Sequence, residues 1–330
     1  MRELAVQFLS LASKQKATGP LMLGHRLMGL SLLHTGDIVD GRRHLDHAIT
    51  LYDSAKHRTL ATRFGQDVGA ASLSWKSIAT WLLGFPEAAL VATEHALQIA
   101  REVDHPPTLM YILNFSAWIH VWCGNFAKAN ALFDEFTALK DEIGSVFWGA
   151  WGMMQQGCLW ALTGKTSCAA QSITNGVDAM RSTGTTMWMP VWLSYLAMAK
   201  AEIGQFDEAG RVISEAMVEA AKEKWYEAEV NRIAGEVLLL APKSDVAKAE
   251  AYFERALAVA KEQQAKSWEL RAAMGMARLW RDQGKRHEAR DLLASVHGWF
   301  TQGLDTINLK EAKRLLGELA KPTSSTYPIF

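Results

Sequence analysis

Hydrophobic and polar positions along the chain repeat with a period of 40 residues, and small residues mark the repeat most clearly. Glycine recurs at one position of the repeat, in Gly84, Gly124, Gly164, Gly204 and Gly284. Alanine recurs five positions later, in Ala89, Ala129, Ala169, Ala209, Ala249 and Ala289. A period in this range is typical of stacked copies of one helical unit.

Each of these glycines lies between two amphipathic segments, as in Trp122-Cys123-Gly124-Asn125-Phe126. A glycine after the last apolar residue is typical of a helix end. The alanine that follows leaves room for two helices to cross closely. Larger apolar residues come one turn later, in Phe133, Ile173, Ile213, Phe253 and Leu293. The pattern predicts a helix, a tight turn and a second helix in every unit.

The repeat resembles the tetratricopeptide repeat over residues 21–300, with a small residue midway along the first helix as a further match. That small residue is Gly29, Ser77, Ala117, Gly157, Ala197, Gly235 and Ala277 in successive units. The unit is longer than the usual 34 residues, and the sixth unit lacks the turn glycine. The resemblance implies an all-α, right-handed α-solenoid of about seven helix-turn-helix, tetratricopeptide-like repeats.

Particular segments also resemble the C-terminal region of bacterial proteins that join a class III adenylate or guanylate cyclase, an ATPase module and a tetratricopeptide tail. These segments are 51–58, 64–67, 81–84, 266–273 and 279–285. No residue matches the cyclase or ATPase modules, so their activities are not implied. The resemblance implies a signalling role and a cyclase or ATPase module as partner.

The repeat predicts one solenoid over residues 1–320. Residues 1–16 are expected to form an orphan or capping helix, and this half-repeat could pair with a second copy of the chain. Residues 304–320 are expected to form a C-terminal capping helix. The tail, 321–330, is expected to be disordered.

Composition narrows the function classes. The 330 residues carry a formal net charge of zero, with 49% apolar and 21% charged residues, so neither nucleic acid nor a membrane surface is an expected partner. The chain carries no recognisable targeting signal, which makes the cytoplasm the expected location. Three cysteines are too few for a disulfide framework or a zinc site.

Two motifs that resemble chemical sites have plainer explanations. Gly164-Lys165-Thr166 ends like a phosphate-binding loop, but the motif needs a preceding strand, and the glycine is already the repeat turn. His44 and His47 share a helix face with Asp40 nearby, yet no third metal ligand is evident, so a solvated face is favoured. We therefore predict no catalytic residue, no metal, no cofactor and no enzyme activity.

The concave surface of the solenoid is the predicted binding site, since first-helix positions line it in tetratricopeptide folds. Tryptophan and arginine are enriched at interaction hot spots, and the groove is expected to be aromatic at one end and charged at the other. The predicted partner-binding residues are Trp81, Tyr111, Asn114, Trp118, Trp122, Trp151, Met154, Arg232, Arg271 and Arg278.

Two alternatives stay open at this point. A tightly wound superhelix would bury the tryptophans against one another and leave no groove, and Trp148, Trp188 and Trp268 already occupy a repeat position that is typical of inter-repeat packing. The chain could also be a sensor that binds a small ligand and changes its pitch. A sealed pocket would favour the small ligand, whereas an open trough would favour a peptide or protein segment.

An insertion interrupts the period, because Gly36 and Gly84 lie 48 residues apart. Insertions in repeat arrays often lie on the binding face. Arg58, Arg63 and Phe64 could therefore hold an acidic or phosphorylated group. The alternative is a capping role, in which Asp67 starts the next helix.

Overall fold

A computed structural model describes residues 2–15 and 17–321, which contain helices and no strand. The helices are α1 (Arg2–Gln15), α2 (Thr18–His34), α3 (Ile38–Leu51), α4 (Ser54–His57), α5 (Ala61–Phe64), α6 (Val68–Leu82), α7 (Pro86–Val103), α8 (Pro106–Cys123), α9 (Phe126–Ile143), α10 (Val146–Leu162), α11 (Thr166–Ser182), α12 (Met189–Glu202), α13 (Phe206–Ala220), α14 (Glu227–Leu240), α15 (Val246–Glu262), α16 (Lys266–Asp282), α17 (Arg286–His297) and α18 (Ile307–Ala320). Short 3-10 turns cover Arg58–Leu60 and Lys224–Tyr226. The prediction of an all-α solenoid is confirmed.

Seven antiparallel helix pairs make up the array, and each pair corresponds to one repeat of the sequence. The pairs are α2–α3, α6–α7, α8–α9, α10–α11, α12–α13, α14–α15 and α16–α17. All six alanines of the repeat are fully buried. The five turn glycines all have a positive φ, between +81° and +88°. The small residues therefore do what their spacing predicts: they let helices approach closely and let the chain reverse.

Helices α1 and α18 flank the array at its two ends. α1 packs against α2 through the buried Ala5 and Ala12, while Leu4 and Leu11 on the same helix are exposed. α18 packs against α16 and α17. Apart from Lys321, the predicted disordered tail lies outside the described residues. The division into domains and the pairing of two copies through the N-terminal half-repeat stay predictions.

The array winds far enough for its early units to contact its last ones. α6 contacts α16, and α8 contacts α18. The hydroxyl of Ser267 donates to the Trp81 carbonyl, Asn308 Nδ2 donates to the Trp122 carbonyl at 3.3 Å, and the Gly303 N–H donates to Glu87 at 2.7 Å. The partners in these three bonds lie 186 to 216 positions apart in the sequence. The superhelix is thus closed on itself, and its concave side faces inward.

The insertion between the first two units forms α4, the first 3-10 turn and α5. Arg58 and Arg63 are exposed and Phe64 is half-buried, with the Arg63 guanidinium 5.7 Å from the Phe64 ring. Asp67 is buried and caps α6, because its carboxylate accepts the Ala70 N–H at 2.8 Å. The capping role of Asp67 is confirmed, and the predicted ligand contact of the insertion stays a prediction.

Within the described part of the chain, no helix combines the length and the apolar character that a membrane crossing requires.

Candidate functional site

A cluster of tryptophans fills the centre of the closed superhelix. Trp118 and Trp151 are fully buried, and Trp81 and Trp122 are 2% exposed. The Trp81 ring lies 4.7 Å from that of Trp122 and 4.8 Å from that of Trp268 in the last unit. Helix α12 adds rings from the opposite side, with Trp192 5.5 Å from Trp118 and 5.1 Å from Trp151. Aromatic side chains at these separations form a packed core.

The expectation of an open aromatic groove is therefore corrected. Trp81, Trp118, Trp122 and Trp151 are core residues, and so are the three other residues expected at this end: Tyr111, Asn114 and Met154. The physical reason is closure of the superhelix. It brings α12 and α16, the first helices of their pairs, across the concave side of α6, α8 and α10. The buried arrangement considered from the sequence is the one that the structure has.

The tryptophan column assigned to inter-repeat packing is largely buried as expected, since Trp188 and Trp268 are core residues and Trp148 is half-buried. Trp188 has a φ of +61°, which is rare for a bulky residue. The backbone N–H of Trp188 donates to the Glu223 carboxylate at 2.9 Å, and the indole N–H of Trp225 donates to the same carboxylate at 3.4 Å. Burial raises the pKa of Glu223 to about 7, although both hydrogen bonds act to lower it.

The charged end of the predicted groove forms a partly open pocket of about 380 Å³. Arg232 comes from α14, and Arg271 and Arg278 come from α16, so the structure brings together all three predicted arginines. The apolar part of the lining consists of Ala161, Leu162, Met198, Ile233, Met274 and Ile307. Tyr195, Glu202, Glu236, Asn308 and Glu311 complete the lining with polar groups.

A buried ion-pair network supports the floor of this pocket. Arg232 donates two hydrogen bonds to the Glu229 carboxylate, both at 2.8 Å, and also pairs with Glu236. Arg271 donates to Glu229 at 2.8 Å as well. Burial would lower the pKa of Arg232, but Glu229 and Glu236 outweigh it and raise that pKa well above its usual value. Arg232 is thus a structural charge whose hydrogen-bonding capacity is largely used within the protein.

Arg271 and Arg278 are the arginines that remain accessible to a ligand. Their side chains are 19% and 35% exposed, compared with 8% for Arg232. Among the described residues, each of the two forms an ion pair through a single guanidinium nitrogen, with Glu229 and Glu311 respectively. The other nitrogens can bind a carboxylate, which arginine recognises through paired N–H groups.

The pocket is coupled to the aromatic core. The Arg271 guanidinium lies 5.5 Å from the centre of the Trp268 ring, and Trp268 contacts Trp81 across the closed superhelix. Cation–π contact of this kind stabilises both groups. A ligand that draws Arg271 towards it would therefore act on the contact that joins the early and late units.

Several pocket residues were missed by the sequence analysis. Tyr195 and Met198 come from α12, which is apolar over most of its length, so no pattern in its sequence distinguishes these two residues from core residues. Asn308 and Glu311 come from α18, which was predicted only as a cap. Their place in the pocket depends on the winding of the array, so no local pattern indicates it.

A second, more exposed pocket of about 670 Å³ lies at the seam between the early and late units. Arg42 and Arg43 of α3 face Lys261 and Lys266 across it, and Trp299 lines one side. Among the described residues, Asp46 is the one carboxylate of its lining.

Comparison with solved structures supports the fold. No protein-family model and no curated protein sequence matches the chain. A Rap protein solved in complex with competence and sporulation factor is similar in structure, with a TM-score of 0.62, 11% identity and coverage of 90% of this chain and 80% of that one. The apo form of RapI gives a TM-score of 0.54 at 12% identity, covering 90% of this chain and 99% of that one.

A third similar structure is a signal transduction ATPase with numerous domains from Pyrococcus horikoshii, which is described as having a tetratricopeptide-repeat sensor. Its TM-score is 0.52 at 12% identity, and the match covers 96% of this chain but 49% of that protein. At these identities the likeness shows a shared tetratricopeptide-like fold and nothing of function.

Proposed function

We propose that this chain is a non-catalytic regulatory module that binds a short partner segment in the arginine pocket. The observation that carries the proposal is the pairing of two accessible arginines, Arg271 and Arg278, with an apolar wall on the inner face of a closed solenoid. Pockets of a few hundred Å³ with few, well-placed polar groups are typical of specific ligand sites. Tryptophan anchors are not part of the site, because they are buried in the core.

The lining sets the chemistry of the segment. Arg271 and Arg278 would hold a carboxylate, and Met198, Met274 and Ile233 would contact an apolar side chain next to it. The lining also carries the carboxylates of Glu202, Glu236 and Glu311, which disfavour a ligand with several acidic groups. The best fit is the end of a polypeptide, or a loop, with one acidic and one apolar residue.

We propose a cyclase or ATPase module as the source of this segment. Support comes from the resemblance of 51–58 and 266–273 to the tails of cyclase–ATPase proteins, and from the signal transduction ATPase of similar fold, which carries a tetratricopeptide-repeat sensor. We further propose that the module acts in the cytoplasm. The insertion with Arg58, Arg63 and Phe64 remains a predicted second contact.

A small-ligand sensor is the second candidate function. The volume of the pocket and the contact of Arg271 with Trp268 favour it, because a small carboxylate bound there would act directly on the closure of the superhelix. In this case the readout would be a change of pitch rather than a captured segment.

The test is binding to an immobilised library of short peptides in which acidic and apolar residues are varied. We expect the intact chain to select peptides that carry an acidic residue next to an apolar one. The double variant Arg271→Ala/Arg278→Ala should lose this selection, since removing two charge-assisted contacts costs several kcal/mol. A parallel titration with free dicarboxylic and amino acids tests the small-ligand alternative.

The matched control is Lys165→Ala, which removes one exposed cation from a turn in the fourth unit. This variant should select the same peptides as the intact chain. Equal binding by the intact chain and the double arginine variant, with both equally helical by circular dichroism, would exclude the pocket as the site.

A further inference from the structure

Three histidines meet between the first two helices of the array. His25 lies on α2, and His44 and His47 lie one turn apart on α3. The Nδ1 atoms of His25 and His44 are 3.1 Å apart and share a hydrogen bond, which a bound metal ion would replace. The ring centres of His25 and His47 are 5.2 Å apart. The sequence offered only the pair on α3, and the third ring comes from a helix 19 residues earlier.

The separation of the two Nδ1 atoms suits two ligands of one metal ion. Zn–N bonds are about 2.0–2.1 Å, so two nitrogens in tetrahedral coordination lie about 3.3 Å apart. As the side chains of the described residues stand, no three of them are placed to hold a metal ion, so the His47 ring has to turn before the three histidines can form a site. His47 is exposed, and rotation of an exposed side chain is fast and inexpensive.

The charges around the cluster are compatible with a cation. Asp40 lies one turn before His44 and adds negative charge, although it pairs with Arg43 at 2.7 Å. His25 and His44 are half-buried, which leaves an entry path for an ion.

We propose that His25, His44 and His47 form a binding site for Zn²⁺ or a similar transition-metal ion, with water as a further ligand. The ion would join α2 to α3 and stabilise the first unit of the array. The site lies apart from the arginine pocket and does not depend on the proposed function.

Titration of the full chain with ZnCl₂ at pH 7.5, followed by calorimetry, tests the site. We expect one saturable equivalent whose affinity falls about 100-fold or more in His44→Ala, since even indirect supports of a metal ligand are worth 10–100-fold. His25→Ala should behave in the same way. The unfolding temperature of the intact chain should rise with added Zn²⁺.

His47→Ala keeps the test interpretable if the variants of the half-buried histidines misfold, because this exposed side chain can be removed without loss of core packing. It should also abolish the thermal shift. His287→Ala on α17, which removes another exposed histidine, should retain full binding. The inference is overturned if the intact chain shows no saturable equivalent, if His47→Ala binds as tightly as the intact chain, or if His287→Ala loses as much affinity as His44→Ala.

Discussion

At the scale of single residues, burial decides which charges hold the protein together and which can bind a ligand. Arg232 and Glu229 are almost fully buried and hydrogen-bonded to each other. Arg278 pairs with Glu311 where both side chains are about one-third exposed. Removing one partner of a buried pair strands the other in the interior, whereas an exposed pair is largely screened by water.

We therefore expect Arg232→Ala to lower the free energy of unfolding by about 3 kcal/mol, with Arg271 left to compensate Glu229 in part. Arg278→Ala should lower it by about 0–1 kcal/mol. Urea unfolding of the two variants and the intact chain measures both effects. Equally small losses would mean that water reaches the floor of the pocket.

Glu223 gives the protein a pH dependence whose sign follows from its environment. Burial raises the pKa of this carboxyl from 4.5 to about 7, so the folded protein holds the proton more tightly than the unfolded chain does. The stability that this protonated carboxyl contributes is fully present below pH 4.5 and is lost as the pH rises through 7. Because the side chain is only half-buried, we expect a loss of about 1–2 kcal/mol.

The stability of the intact chain should decline between pH 5 and pH 8 as Glu223 ionises, and Glu223→Gln should remove this part of the decline. The urea midpoint at several pH values measures it. Glu142→Gln, at an exposed position of α9, should keep the slope of the intact chain. A slope that is identical in the intact chain and in Glu223→Gln would show that the Glu223 carboxyl titrates normally.

At the scale of helices and turns, equivalent positions of the repeat meet different surroundings. Gly84 and Gly204 occupy the same turn and have φ values of +88° and +81°. A Cβ added to Gly204 would meet open space, but one added to Gly84 would lie 2.6 Å from the Trp299 ring and 2.7 Å from Lys266 Cβ. The turn at Gly84 is therefore also part of the seam between early and late units.

Gly204→Ala should cost about 1 kcal/mol, the price of a left-handed conformation for a residue with a Cβ. Gly84→Ala should cost a further 1–3 kcal/mol or so, because the seam residues have to move. Thermal unfolding of the two variants gives the difference directly. Equal costs would contradict the close packing of Trp299 against this turn.

The repeat itself could be predicted from sequence because its signals are local. Gly124 and Ala129 have counterparts at the same spacing in other units, so the spacing indicates turns and helix packing without knowledge of the whole molecule. The burial of Trp118 and Trp122 could not be predicted in this way. It depends on Trp188, Trp192 and Trp268, which reach these rings only because small rotations add up along seven units.

Part of the arginine pocket could also be predicted from the repeat positions. The arginines of α14 and α16 lie on adjacent first helices, so repeat positions alone place them together. Glu311 and Asn308 join them only through the course of the chain after α17. The pairing of His25 with His44 depends on how closely α2 packs against α3, and no sequence pattern predicts that distance.

At the scale of the whole molecule, the aromatic core holds the early and late units of the superhelix together. The Trp81 ring on α6 lies 4.8 Å from the Trp268 ring on α16, and the Trp122 ring on α8 lies 5.9 Å from it, although α6 and α8 belong to early units and α16 to the last one. Most repeat arrays are stabilised by neighbouring units alone. Here contacts between distant units add to that, so loss of the core is expected to change shape as well as stability.

Trp122→Ala should lower the free energy of unfolding by about 3–5 kcal/mol, as is usual for a large aromatic residue removed from a core. Small-angle X-ray scattering should also show a larger radius of gyration, because the early and late units separate. Trp160→Ala serves as the control, since Trp160 on α10 is half-buried and does not line the seam pocket, so its removal should cost less and leave the radius of gyration unchanged. A destabilised but equally compact Trp122→Ala would argue against this role of the core.

Hydroxyl-radical footprinting of the intact chain, read residue by residue in a mass spectrometer, tests the closed superhelix most directly. A closed superhelix predicts strong labelling of Trp299 and protection of Trp118, Trp122 and Trp151, which are buried in the core. Labelling of these three at a level close to that of Trp299 would contradict it: the groove would then be open in solution, and its tryptophans would again be candidates for the binding site.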